Sequence, residues 1–225
     1  MDFIGFSTLV SEMDGIKKQK NKIPILYIIG SGHSGSTLLD MLLGGHSKIV
    51  GVGEFRMFSN QKQKLENQIC TCGKKILDCS FWKKVSQTIE ECPTLNIKRK
   101  GLDSFLGREK YFFEDKKPAS NFTNLKAEII KKRNKNIKTI FVRYEDLTDN
   151  PRKELERILK EVGLSFEERM LNFRETEQHQ FAGNRLRLKK DREIKKGLSW
   201  KENLSWFDLF LFYLIAGFLN KIYGY

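Results

Sequence analysis

Several things are scarce or missing in this chain, and each closes off a class of protein. There are only four prolines and three histidines in 225 residues. No stretch is low in complexity and no internal repeat recurs, so a repeat array and a Pro- or Gly-rich linker are excluded. The N-terminus "MDFIGFSTLVSEMDG" has no basic run ahead of an apolar one, as a secretory leader requires, and a cytoplasmic chain is expected. The most apolar late segment, residues 206–225, is interrupted by Asp208 and Asn220. It reads as a buried C-terminal helix, and its aromatics allow a peripheral membrane contact. Acidic residues are outnumbered: 28 Asp and Glu face 41 Lys and Arg, a formal net charge of +13. That balance suits an anionic partner or a solvated basic surface. The aromatics lie mostly in apolar contexts rather than along a basic face, so no stacking platform for nucleic acid is expected.

The four cysteines are also few. Cys70 and Cys72 form C-x-C rather than the C-x₂-C of a zinc knuckle, and no histidine is near them in sequence. No metal site is expected. Cys70, Cys72 and Cys79 read as free thiols, with a disulfide and zinc as alternatives.

What is present begins with "YIIGSGHSGSTLLDMLLGG", residues 27–45. The order is apolar strand, glycine-rich turn, apolar helix closed by Gly44 and Gly45. Such a turn aims backbone N–H groups and the positive end of the helix dipole at one point. Ser34, Ser36 and Thr37 add hydroxyl donors, and His33 adds a donor that can become cationic. The stretch is therefore an anion cradle. Gly30, Gly35 and Thr37 occupy the places of G-x-x-x-x-G-K-[ST], but Ser36 replaces the lysine a kinase-type loop needs. Gly30, Gly32 and Gly35 also match G-x-G-x-x-G, with Glu54 at the distance of the ribose-binding acid.

Further along, residues 47–53 form a second short strand candidate. Residues 60–121 form a variable region holding all four cysteines, Cys70, Cys72, Cys79 and Cys92, and a charged amphipathic piece after Trp82. Residues 123–135 suit a helix. "IKTIFVRYEDL" reads as a buried strand running into acidic residues. "NPRKELERILKEVG" reads as a helix with Asn150 as N-cap, Pro151 at its first position and Gly163 closing it. Strand–loop–helix occurring twice implies a single α/β domain over 1–225 with a partly parallel sheet.

"GSGHSGSTLLDMLL" resembles the 5′-phosphosulfate loop of sulfotransferases, which use 3′-phosphoadenosine-5′-phosphosulfate (PAPS) to sulfate an acceptor. "GGHSKIVGVGEFRMF", "CTCGKKILDCSFW", "FVRYEDLTDNPRKELERILKEVGL" and the tail from "HQFAGNRLRL" resemble later segments of bacterial members, in the same order. The resemblance implies a P-loop-like three-layer fold and transfer of a sulfuryl group from PAPS to a hydroxyl acceptor. It implies that Gly32, His33, Ser34, Gly35, Ser36 and Thr37 hold the cofactor, that Glu54 is the base and that His33 occupies the family's Arg/Lys position. The family's R-D-P-R element with its later serine, which holds the 3′-phosphate, has no counterpart between Trp82 and Tyr144. Arg185 and Arg187, with Lys189, are the remaining source of such contacts if they share one face of an extended segment. The alternative is an impaired relative that only binds nucleotide or polyanion. Tyr144, Glu145 and Asp146 read as architectural, and His46 as an end-cap of the loop helix.

Overall fold

The computed structural model describes residues 3–9, 25–30, 34–55, 65–91, 138–189, 194, 205–207 and 210. Gly32, His33, the helix candidate at 123–135 and most of 206–225 lie outside them. No helix among the described residues is long and apolar enough to cross a membrane.

Three strands form one sheet in the order β2-β1-β3, with β1 at Phe3–Leu9, β2 at Ile25–Gly30 and β3 at Lys138–Arg143. Strands β2 and β3 are the two apolar runs of the sequence. β1 pairs antiparallel with both, Phe6 lying opposite Ile28 on one side and Ile140 on the other. β2 and β3 therefore run in the same direction without pairing. The expected partly parallel sheet is corrected to this extent: both described ladders are antiparallel. Residues 47–53 do not form the expected strand either. Gly53 makes a single parallel bridge to Phe181. Its φ of 65° breaks any extended run, because strands need negative φ.

Helix α1, Ser36–Gly44, follows β2 through the glycine turn. It buries Leu38, Leu39, Met41, Leu42 and Leu43. β3 leads directly into α3, Tyr144–Asp149, and then α4, Pro151–Glu161. As the sequence implies, Asn150 caps α4: its side chain accepts from the Lys153 N–H at 3.3 Å, and Pro151 begins the helix. Gly163 takes the left-handed conformation, φ 72°, and the Leu164 N–H returns to the Leu159 carbonyl at 2.9 Å. The 3.6-residue period of α4 turns Leu155, Ile158 and Leu159 inward. There they meet the α1 leucines, Ile140, Val142, Leu147, Met170 and Phe173 in the main core.

A second, smaller core gathers Leu65, Cys70, Ile76, Cys79, Trp82, Phe181 and Ala182. It lies under a turn at 70–79 and helix α2, Ser80–Glu91. The segment 176–182 runs between the two cores. Gln178 donates to the Met41 carbonyl of α1 at 3.1 Å, while the Thr71 hydroxyl donates to the Gln178 carbonyl at 2.6 Å and the Thr71 N–H to that of Gln180 at 3.0 Å.

Candidate functional site

The entry to α1 is built around a backbone that only glycine adopts easily. Gly35 has φ 89°, and its carbonyl accepts the Leu39 N–H at 3.0 Å. Among the described residues no side chain caps the helix, and its first turn has no acidic residue. The open N–H groups and dipole end therefore remain a place for negative charge. Ser34 is fully buried in this turn, and its hydroxyl has no hydrogen-bond partner among the described residues. An unpaired buried hydroxyl costs free energy unless something completes it.

Thr37 and Glu54 meet at Gly183. A Cβ placed on Gly183 would lie 3.2 Å from Thr37 Oγ1 and 3.4 Å from Glu54 Oε1. Thr37 Oγ1 also accepts the Asn184 N–H at 3.3 Å. Glu54 is held there by its own backbone, since its N–H donates to the Phe181 carbonyl at 3.2 Å. The fold thus brings Ser34, Gly35, Ser36, Thr37 and Glu54 to one end of α1, although Glu54 is well separated in sequence.

Asp40, one turn into α1, is a residue the sequence reading passed over. It accepts the Gly53 N–H at 3.2 Å and so ties the loop helix to the segment carrying Glu54. Burial pushes its carboxyl up from 3.8 to about 7, with the Gly53 hydrogen bond opposing. The only sequence signal was an aspartate on an otherwise apolar helix, "STLLDMLL".

The arginines part company. Residues 185–188 form a 3₁₀ turn, not the expected extended segment, so Arg185 and Arg187 do not share a face. Arg185 is exposed, while Arg187 is buried and its Nε donates to the Ala182 carbonyl at 2.6 Å. Burial holds its pKa below the usual value, while Cys70 and Glu54 act in the opposite sense. Its Nη1 has no partner among the described residues.

His46 does what an end-cap does. Its N–H donates to the Leu43 carbonyl at 3.0 Å, its Nδ1 accepts from Lys48 at 2.9 Å, and its Nε2 faces the Ser165 carbonyl at 3.0 Å. Beside it, hydrogen bonds from the Ser47 hydroxyl and N–H hold Glu167 below the usual carboxylate range. Asp146 pairs with Arg143 at 3.8 Å, and its carbonyl accepts the Asn150 N–H at 2.9 Å.

No disulfide joins Cys70, Cys72 or Cys79 among the described residues. The absence of a histidine near them in sequence does not carry over into space: segment 176–182 sets His179 among them. Sequence spacing could not show this, because His179 is 100 residues beyond Cys79.

No protein-family model matches the chain, and neither the curated proteins nor the solved structures contain a significant match.

Proposed function

We propose that the end of α1 is the phosphosulfate cradle of a PAPS-dependent sulfotransferase with a P-loop-like three-layer fold, acting on a hydroxyl acceptor. The observation that carries the reading is the buried, unpartnered Ser34 hydroxyl beside an uncapped helix N-terminus, with Glu54 nearby at Gly183. An oxyanion fits the turn, since the Ser34, Ser36 and Thr37 hydroxyls and the first α1 N–H groups can donate to it and none of the first-turn residues is acidic. PAPS supplies the sulfuryl group. The hydroxyls of Ser34, Ser36 and Thr37, with the α1 N–H groups, bind and orient its charged end. Glu54 takes the acceptor's proton as the acceptor oxygen forms its bond to sulfur and the bridging oxygen departs with its electron pair. His33, in the family's basic position, supplies the cationic donor. No metal is needed where fixed donors meet the developing charge.

A second reading keeps binding and drops turnover. It is favoured by Arg187, whose guanidinium is turned inward onto Ala182, leaving Arg185 as the exposed arginine for a 3′-phosphate. Sulfuryl transfer from labelled PAPS to a panel of sugar, phenol and alcohol acceptors distinguishes the two. In the first reading Glu54→Gln lowers turnover by about 100-fold or more while binding of the product nucleotide, PAP (3′-phosphoadenosine 5′-phosphate), persists. Unchanged turnover removes Glu54 as the base, and PAP binding with no turnover on any acceptor leaves the second reading.

A further inference from the structure

We propose that Cys70, Cys72, Cys79 and His179 form a structural zinc site that clamps the 70–79 turn onto segment 176–182. The one-letter pattern conceals it, but the geometry is that of a closed four-ligand set. All four donor atoms lie within 4.8 Å of one another. Cys72 Sγ is 3.7 Å from Cys79 Sγ, and His179 Nδ1 is 3.4 Å from Cys79 Sγ and 3.8 Å from Cys70 Sγ. A tetrahedral zinc with ordinary Zn–S and Zn–N bonds separates its ligands by about 3.8 Å between sulfurs and about 3.6 Å between sulfur and nitrogen. These three distances match a metal at the centre, and the remaining pairs, all within 4.8 Å, need only a small side-chain shift to close on it.

The surroundings are those of a metal site as well. Cys70 and Cys79 are fully buried. The imidazole is oriented from both sides. Its Nε2 faces Glu177 Oε1 at 3.5 Å, the carboxylate–histidine arrangement that presents Nδ1 to a metal. Phe81 stacks on the ring at 4.9 Å, and the Trp82 indole donates to the His179 carbonyl at 2.7 Å. Gly73 takes a left-handed φ of 84° to turn the chain between the cysteines, its N–H donating to the Cys70 carbonyl at 2.9 Å. Three thiolates, a neutral imidazole and Zn²⁺ leave one net negative charge. Arg187 is near enough to Cys70 for their charges to interact, so a cation already stands by to offset it. On ligation each thiol releases its proton to solvent, and no oxidant or reductant is involved.

The site is independent of the sulfuryl-transfer reading: a zinc clamp serves any function this fold performs. The full-length chain, purified under reducing conditions without chelator, is expected to carry one zinc per chain by elemental analysis. Exchange for Co²⁺ is expected to produce thiolate-to-cobalt charge-transfer bands and the intense visible bands of tetrahedral cobalt. Cys72→Ser, at the half-buried ligand, is expected to weaken cobalt binding and shift those bands, while Cys92→Ser leaves them unchanged. Substoichiometric zinc together with only weak octahedral cobalt bands would overturn the proposal, as would unaltered cobalt spectra in both Cys72→Ser and His179→Ala. The wild-type cobalt titration decides the matter even if a variant fails to fold.

Discussion

Asp40 is a carboxyl whose ionisation burial opposes. Its carboxyl is pushed up to about 7 by burial, against 3.8 for the free group. A raised acid binds more protons in the native than in the unfolded chain between those two values. Its contribution therefore favours folding least once pH has risen through 7, and the loss accumulates from about pH 4 upward. Asp40→Asn keeps an oxygen to accept the Gly53 N–H and removes the ionisation. The variant is expected to gain stability over the parent, by a few kcal/mol at most, and to gain more at about pH 8 than at about pH 5. Urea unfolding midpoints at the two pH values measure this. An equal shift at both would mean that Asp40 does not titrate in this range. Asn150 is a simpler case: Asn150→Ala removes the N-cap of α4 and is expected to lower stability by about 1 kcal/mol in the same assay.

At the scale of elements, the crowded contact is the 51–53 segment against 176–182. A Cβ on Gly53 would sit 2.3 Å from the Phe181 carbonyl oxygen, at a φ that side chains resist. Gly73 has a comparable φ but open space around it. Gly53→Ala is expected to cost about 2 kcal/mol or more, Gly73→Ala about 1 kcal/mol, as read from urea midpoints. Equal losses would mean that the close approach to Phe181 contributes nothing. Helices α1 and α4 were legible in the sequence because their signals are local: a leucine stripe ended by glycines, and an Asn-Pro start with a glycine stop. β2 and β3 were legible as apolar runs. β1 was not, because "FIGFSTL" is an ordinary stretch whose role depends on partners at both its edges. The supposed strand at 47–53 failed for a related reason. Its alternation looks extended, but its glycines serve a close backbone contact and a positive φ rather than a ladder.

For the whole molecule, segment 176–182 is what joins local pieces into a site. It bonds to α1 through Gln178, borders Glu54 through Phe181, with Gly183 directly after it, and places His179 among three cysteines. The loop half of the site was readable, since hydroxyl and glycine density around a helix start has a direct electrostatic meaning. Glu54 was readable too, but Gly183 and Asn184, which border it and Thr37, come from more than a hundred positions away, and only tertiary packing brings them near. The fate of Arg187 belongs to this scale too, because its buried position depends on the turn at 185–188 and on the Ala182 carbonyl. The central claim is that the α1 cradle takes a 5′-phosphosulfate nucleotide, and the most direct test is isothermal titration of the full chain with PAP, 5′-AMP and ATP, each with and without magnesium. PAP is expected to bind more tightly than 5′-AMP, with magnesium changing neither. Equal weak binding of all three, or ATP binding that requires magnesium, would contradict it.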